Sequence, residues 1–170
     1  MDTLFAPWRM AYIEYAKVGK EQGCFICNAT KSDNLEENLV LYKGKHVIIL
    51  MNKFPYNTGH LLIAPNRHVA DFAQLSDEEL LALSKALVQS IEVIKRAFSP
   101  DGFNIGVNLG RVAGAGLESH LHIHVVPRWN GDTNFMPVIA DTKVIPEALK
   151  DTYRKLIKHV EIFKTFETMH

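Results

Sequence analysis

Residues 119–129, SHLHIHVVPRW, carry a histidine at every second position from 120 to 124, with an apolar residue inside each gap. Along a β-strand, alternate side chains point to opposite faces. The pattern therefore calls for a strand with Leu121, Ile123 and Val125 on one face and His120, His122 and His124 on the other. The apolar face has an obvious use against helices. The histidine face has none in packing, because buried imidazoles cost free energy unless each is hydrogen-bonded. A single strand histidine is ordinarily part of a polar face; three in succession call for chemistry.

The rest of the chain supplies partners for such a strand. Residues 38–42 and 46–51 read as strands joined by a tight turn around Gly44, and 60–65 as a third. The period then changes. Ser76 and Glu79 form a capping box, and Leu80, Leu83, Leu87, Ile91 and Ile94 repeat at helical spacing through 76–98, where Pro100 and Gly102 end the run. Residues 103–110 read as a fourth strand. A loop of small residues leads to the histidine strand, and Pro146 opens a second helix with Leu149, Tyr153, Leu156, Ile157, Val160 and Phe163 on one face. Short strands on short loops predict an α+β fold, with an antiparallel five-stranded sheet and two main helices packed on one face. Its 170 residues suit a single domain, 1–170.

Composition narrows the partners. Lys plus Arg equals Asp plus Glu at 19 each, so no global basic field argues for nucleic acid. No apolar run nears the ~18 residues of a membrane span, and the first residues do not read as a signal peptide. The expectation is a cytoplasmic protein with neither nucleic-acid nor membrane partner. The only two cysteines, Cys24 and Cys27, form CFIC. In a reducing compartment they are a candidate metal clip or redox pair rather than a structural disulfide.

Two uses of the histidine row compete. Each two-residue strand step is roughly 6.6 Å, so the outer Cα atoms stand about 13 Å apart and three imidazoles do not converge easily on one ion. One of them is free to serve a metal off the end of the row. The row better matches something extended, such as a phosphate chain. Neutral imidazole is well poised near pH 7, and a neighbour that orients one ring nitrogen strengthens the other as a nucleophile. His122, flanked on both sides, is the candidate nucleophile. His124 and nearby backbone N–H groups are candidates to stabilise phosphoryl charge.

HLHIHVV resembles the signature of the histidine triad (HIT) superfamily, and CFIC, GHLLIAPNRH and VPRWNGD resemble companion segments, over roughly residues 8 to 135. The resemblance implies an α+β homodimer, and nucleotide transfer or hydrolysis through a nucleotidyl-histidine on the middle histidine, His122. It implies that His60 orients the triad from behind, that Asn52 contacts ribose hydroxyls and that Asn108 contacts the nucleotide. For both Asn residues, turn formation is the plainer reading. Just before the triad the sequence departs from the family. AGAGLESH stands where many members have a shorter stretch with a Gln. Its glycine-rich backbone suits phosphate approach, with Gly116, Leu117 and Ser119 as candidate contacts and Ser119 as the replacement for a lost hydroxyl. This stretch and RWNGDTNFMPV look most like the branch that cleaves diadenosine tetraphosphate by hydrolysis or phosphorolysis. The implied substrate is an adenine nucleotide or dinucleoside polyphosphate; the alternative is nucleotide binding without turnover.

In histidine triad relatives that share the Cys pair, including the galactose-1-phosphate uridylyltransferases, zinc is completed by a His after the third strand and by the first triad His. This implies a structural zinc on Cys24, Cys27, His68 and His120, with no organic cofactor. Two partly buried free thiols are the plainer alternative. His46 and His159 read as surface or packing residues, and Phe54 and Pro55 as part of a base pocket. The aromatic segment APWRMAYI reads as either a base-stacking or an interface element.

Overall fold

The computed structural model describes residues 23–133 and 145–165. The aromatic segment at 6–13 and most of the TNFMPV stretch lie outside them. Five strands, β1 (Val40–Lys43), β2 (Val47–Met51), β3 (Leu61–Pro65), β4 (Gly102–Gly106) and β5 (Ile123–Arg128), form one sheet in the order β1-β2-β3-β5-β4. Every pairing is antiparallel. Helix α2 (Asp77–Phe98) follows β3 and begins at the expected cap: Ser76 accepts from the Glu79 N–H, and the Glu79 side chain bonds back. No helix among the described residues is long and apolar enough to cross a membrane.

The sheet is sandwiched. On one face, Val47, Ile49 and Met51 of β2, Leu61 and Ile63 of β3 and Val125 of β5 pack against Leu83, Ala86, Val93 and Ile94 of α2. The expected apolar face of the histidine strand lies here: Val125 is fully buried, and Ile123 packs beside it. The other face is partly covered by a helix that periodicity did not indicate. Helix α1 (Phe25–Lys31) sets Ile26 and Ala29 on Val40, Ile48, Leu50, Leu62 and Ala64. At 7 residues it is too short to show a helical repeat. Cys24 is its N-cap, with its sulfur accepting from the Cys27 N–H. In the ladder His124 stands opposite Leu62, so the histidine row shares this second face with α1.

Three elements differ from expectation by more than a residue or two at their ends. The fourth strand ends at Gly106, leaving Asn108 in the loop. The fifth begins at Ile123, so His120 and His122 lie on its lead-in. That lead-in leaves the ladder because the Leu121 N–H donates to the Val69 carbonyl at 2.7 Å, in the loop after β3. The last helix, α3 (Leu149–Leu156), tightens into 3-10 turns over Ile157–Lys164. There buried Gln89 of α2 donates to the carbonyls of Ile162 and Phe163, at 2.9 and 3.2 Å, and both side chains turn into the core.

Candidate active site

The three histidines meet different surroundings. His122 is buried, 7% exposed, and its Nδ1 lies 2.8 Å from the carbonyl of His120. A carbonyl only accepts, so Nδ1 carries the proton and Nε2 presents its lone pair. The orienting group is thus the backbone of the lead-in to β5, not a neighbouring imidazole as the flanking pattern suggested. Burial lowers the affinity of His122 for a second proton, and the bond to the His120 carbonyl opposes this.

A second chain of bonds fixes His124. The Tyr56 N–H donates to Nδ1 of His60 at 3.0 Å, and Nδ2 of Asn52 stands 3.3 Å from the same nitrogen. With Nδ1 accepting, a neutral His60 carries its proton on Nε2, which lies 3.0 Å from Nδ1 of His124. His60 is neutral, since burial, reinforced by His124 and His122, brings its pKa down to about 3. The proton of His124 is therefore on Nε2. That atom is buried and has no hydrogen-bond partner among the described residues. A buried N–H without a partner asks for a ligand acceptor. Burial, with His122 adding, lowers the His124 pKa to about 4, so it too is neutral near pH 7.

His60 precedes β3 on the face that carries Leu62, so it meets the end of the row and bonds His124. Its approach depends on Gly59. With φ of +79° and a hypothetical Cβ 3.1 Å from the Phe98 ring, this position strains any side chain. Asn57 ties the same loop to the end of β5, donating to the Pro127 carbonyl at 3.0 Å and to Asp132 at 2.8 Å. Asp132 in turn takes a two-pronged bond from Arg128.

The candidate substrate contacts lie around this row. Asn52 makes both a turn and a site contact: Oδ1 accepts from the Phe54 N–H at 2.9 Å while Nδ2 reaches His60. Asn108 lies two residues past Gly106, which pairs with His124, and its amide is 3.5 Å from the Gly114 carbonyl. Gly116 and Ser119 are exposed. Leu117 is partly buried and packs against the α1 cluster. Tyr56 joins the site without belonging to any of the motifs in the sequence. Its ring stacks on His124 at 5.7 Å and sits 4.7 Å from His60, yet is 55% exposed. An aromatic residue four positions before a candidate histidine was the available cue.

At the other end of the row, ligand atoms of Cys24, Cys27, His68 and His120 all lie within 4.8 Å of one another. Nδ1 of His120 is 3.2 Å from the Cys24 sulfur, and Nδ1 of His68 is 3.3 Å from the Cys27 sulfur. Bond lengths of ~2.0–2.3 Å set tetrahedral edges of about 3.5 Å around zinc, and the two thiols and two imidazoles form a suitable donor set. His120 is oriented for such a role, donating Nε2–H to the Pro65 carbonyl at 2.8 Å and leaving Nδ1 for a metal. Burial pushes the Cys24 thiol up, so its thiolate needs a cation.

These features define an antiparallel α+β protein with a histidine row on one sheet face, closed at one end by a Cys and His cluster. Residues 34–131 match the family model described as HIT domain. An AP-4-A phosphorylase of Mycobacterium tuberculosis (strain ATCC 25618 / H37Rv) is 42% identical over 161 residues, spanning 92% of this chain and 83% of its own. The chain belongs to the HIT domain family. The asymmetrical bis(5'-nucleosyl)-tetraphosphatase of Schizosaccharomyces pombe is 33% identical over 93 residues, 55% of this chain and 50% of its own. The crystal structure of a zinc-bound histidine triad family protein from Mycobacterium smegmatis superposes with a TM-score of 0.62 at 25% identity, over 85% of this chain and 98% of that one.

Proposed function

We propose that this protein is a nucleotidyl transferase or hydrolase acting on dinucleoside polyphosphates of the diadenosine tetraphosphate kind. The observation that carries the reading is the pair of fixed tautomers, with His122 presenting a lone pair on Nε2 beside a His124 that presents an N–H. The likeness to an AP-4-A phosphorylase over most of the chain supports the substrate class. His122 Nε2 attacks the α-phosphorus of the bound nucleotide, forming a P–N bond as the bond to the leaving phosphate oxygen breaks. His124 Nε2–H bonds the phosphoryl oxygens where charge develops. Water or inorganic phosphate then attacks the AMP-histidine, breaking the P–N bond to release AMP or ADP. Asn52, Asn108 and the Gly116–Ser119 backbone are assigned to the nucleotide and its phosphates.

Zinc fits the cluster of Cys24, Cys27, His68 and His120. Bound there it would fill a closed four-ligand site that ties α1 to the lead-in of β5, a structural role. Exposed Ile105 on edge strand β4, with Leu109 and Val112 beyond it, is the apolar surface a homodimer would cover.

The test is a product assay on diadenosine tetraphosphate with and without inorganic phosphate, using wild type and His122→Ala. ADP formation that depends on phosphate marks phosphorolysis; AMP formation independent of it marks hydrolysis. Unchanged turnover in His122→Ala would overturn the mechanism. Binding with no turnover and no trapped AMP adduct would leave a nucleotide-binding protein.

A further inference from the structure

We propose that the Arg67–Glu79 ion pair sets His68 in place for the metal, making Glu79 a positioning residue for a site it does not touch. This rests on the reading of the Cys and His cluster as a zinc site. His68 differs from the other three candidate ligands. Cys24 and Cys27 sit at the N-terminus of α1, and His120 is fully buried. His68 is exposed and lies in the loop between β3 and α2. An exposed loop side chain loses rotamer and backbone freedom when it binds, unless its surroundings have already restricted it.

Here the restriction is built into the residues on either side. Before it, the Asn66 N–H donates to the His46 carbonyl at 3.0 Å, and its side chain bonds the carbonyls of Gly44 and Lys45. The Arg67 fork then engages both carboxylate oxygens of Glu79 at 2.7 Å each, and its Nη2 also reaches the Gln74 carbonyl at 2.7 Å. After it, Val69 is buried, and its carbonyl accepts the Leu121 N–H, bringing the loop alongside His120.

The pair has features that an ordinary surface bridge lacks. The Arg67 side chain is 56% exposed, but that of Glu79 is 7% exposed on the first turn of α2. The same carboxylate closes the helix cap by accepting the Ser76 N–H at 2.9 Å. The Arg67 bonds, followed by that from the Ser76 N–H, hold its pKa down at about 2. A buried carboxylate held by two partners cannot follow a mobile arginine, so it pins the arginine instead. Arg67 is the residue next to His68, and its position sets the direction in which the imidazole leaves the chain.

The test measures zinc affinity of the full-length protein by competition with a chromogenic chelator, alongside the thermal midpoints of the zinc-free proteins. Glu79→Gln and Arg67→Met remove the clamp from its two sides. Each is expected to weaken zinc binding about 10-fold or more, the range of outer-shell partners. Ser76→Ala removes the helix cap but leaves the clamp. It is expected to lower the midpoint while holding zinc affinity within about 2-fold of wild type. Unchanged affinity in both clamp variants overturns the proposal, as does an equal loss in Ser76→Ala, which would assign the effect to helix stability. A wild type that takes up no zinc overturns the metal reading itself, and the clamp with it.

Discussion

His60 and His124 show how much a single hydrogen bond decides in this site. Because the Tyr56 N–H occupies one nitrogen of His60, every proton position downstream is set, ending at the partnerless Nε2–H of His124. His60→Ala is expected to lower kcat by about 10²-fold or more with a much smaller change in KM, because it releases the His124 tautomer without removing a proposed nucleotide contact. Steady-state kinetics on diadenosine tetraphosphate checks this, and a loss confined to KM would count against it. The same burial creates a pH liability. His60 has a pKa of about 3 in the folded protein against an ordinary 6.5. Below pH 6.5 the unfolded chain therefore binds a proton that the folded chain refuses. The stability this group contributes is complete above 6.5 and falls as pH drops toward 3, by about 1.4 kcal/mol per pH unit at most. His124, at about 4, adds in the same direction. Urea unfolding at pH 8, 6 and 5 should show a plateau and then a decline, with a flatter decline in His60→Ala.

At the scale of elements, α1 carries two tasks in 7 residues. Its Ile26 is fully buried on the histidine face of the sheet, and its N-terminus holds both cysteines. Ile26→Ala should cost about 2–5 kcal/mol, as buried Ile-to-Ala changes do. Measured in chelator, the loss should appear in full; excess zinc should raise the stability of variant and wild type alike if α1 remains docked. The loop into β3 is a second such element. Gly59→Ala is expected to be destabilising through its positive φ and the nearby Phe98 ring, and to impair turnover by displacing His60. Equal activity per folded molecule would show that His60 tolerates the shift.

For the whole molecule, the cluster of Cys24, Cys27, His68 and His120 joins chain positions up to 96 residues apart. A ligand that binds only the folded state raises its stability by mass action. Removing zinc by chelation should therefore lower the thermal midpoint, with recovery on adding zinc back. A midpoint indifferent to both would argue against an occupied site. The sheet was legible in outline: five strands, one long capped helix and an α+β arrangement follow from alternation, helical period and Ser76 with Glu79. Strand ends were not, because the Leu121 bond to Val69 delays β5 and cannot be read from local pattern.

Sequence alone determined that one face of the histidine strand would be apolar, because side-chain alternation is a local property of an extended chain. It also singled out CFIC and the three histidines, since few other uses suit those residues at those spacings. Tertiary structure decided the long-range partners of His60, His68, His120 and His124. Pairing of β3 with β5 brings His60 to His124, and the loop holding Leu121 brings His68 to His120. Those contacts span 52 or more residues, so they exist only once the sheet has closed. The proton position on His124 is a consequence of that closure, whereas those on His60 and His122 are set nearby, by the Tyr56 N–H and the His120 carbonyl.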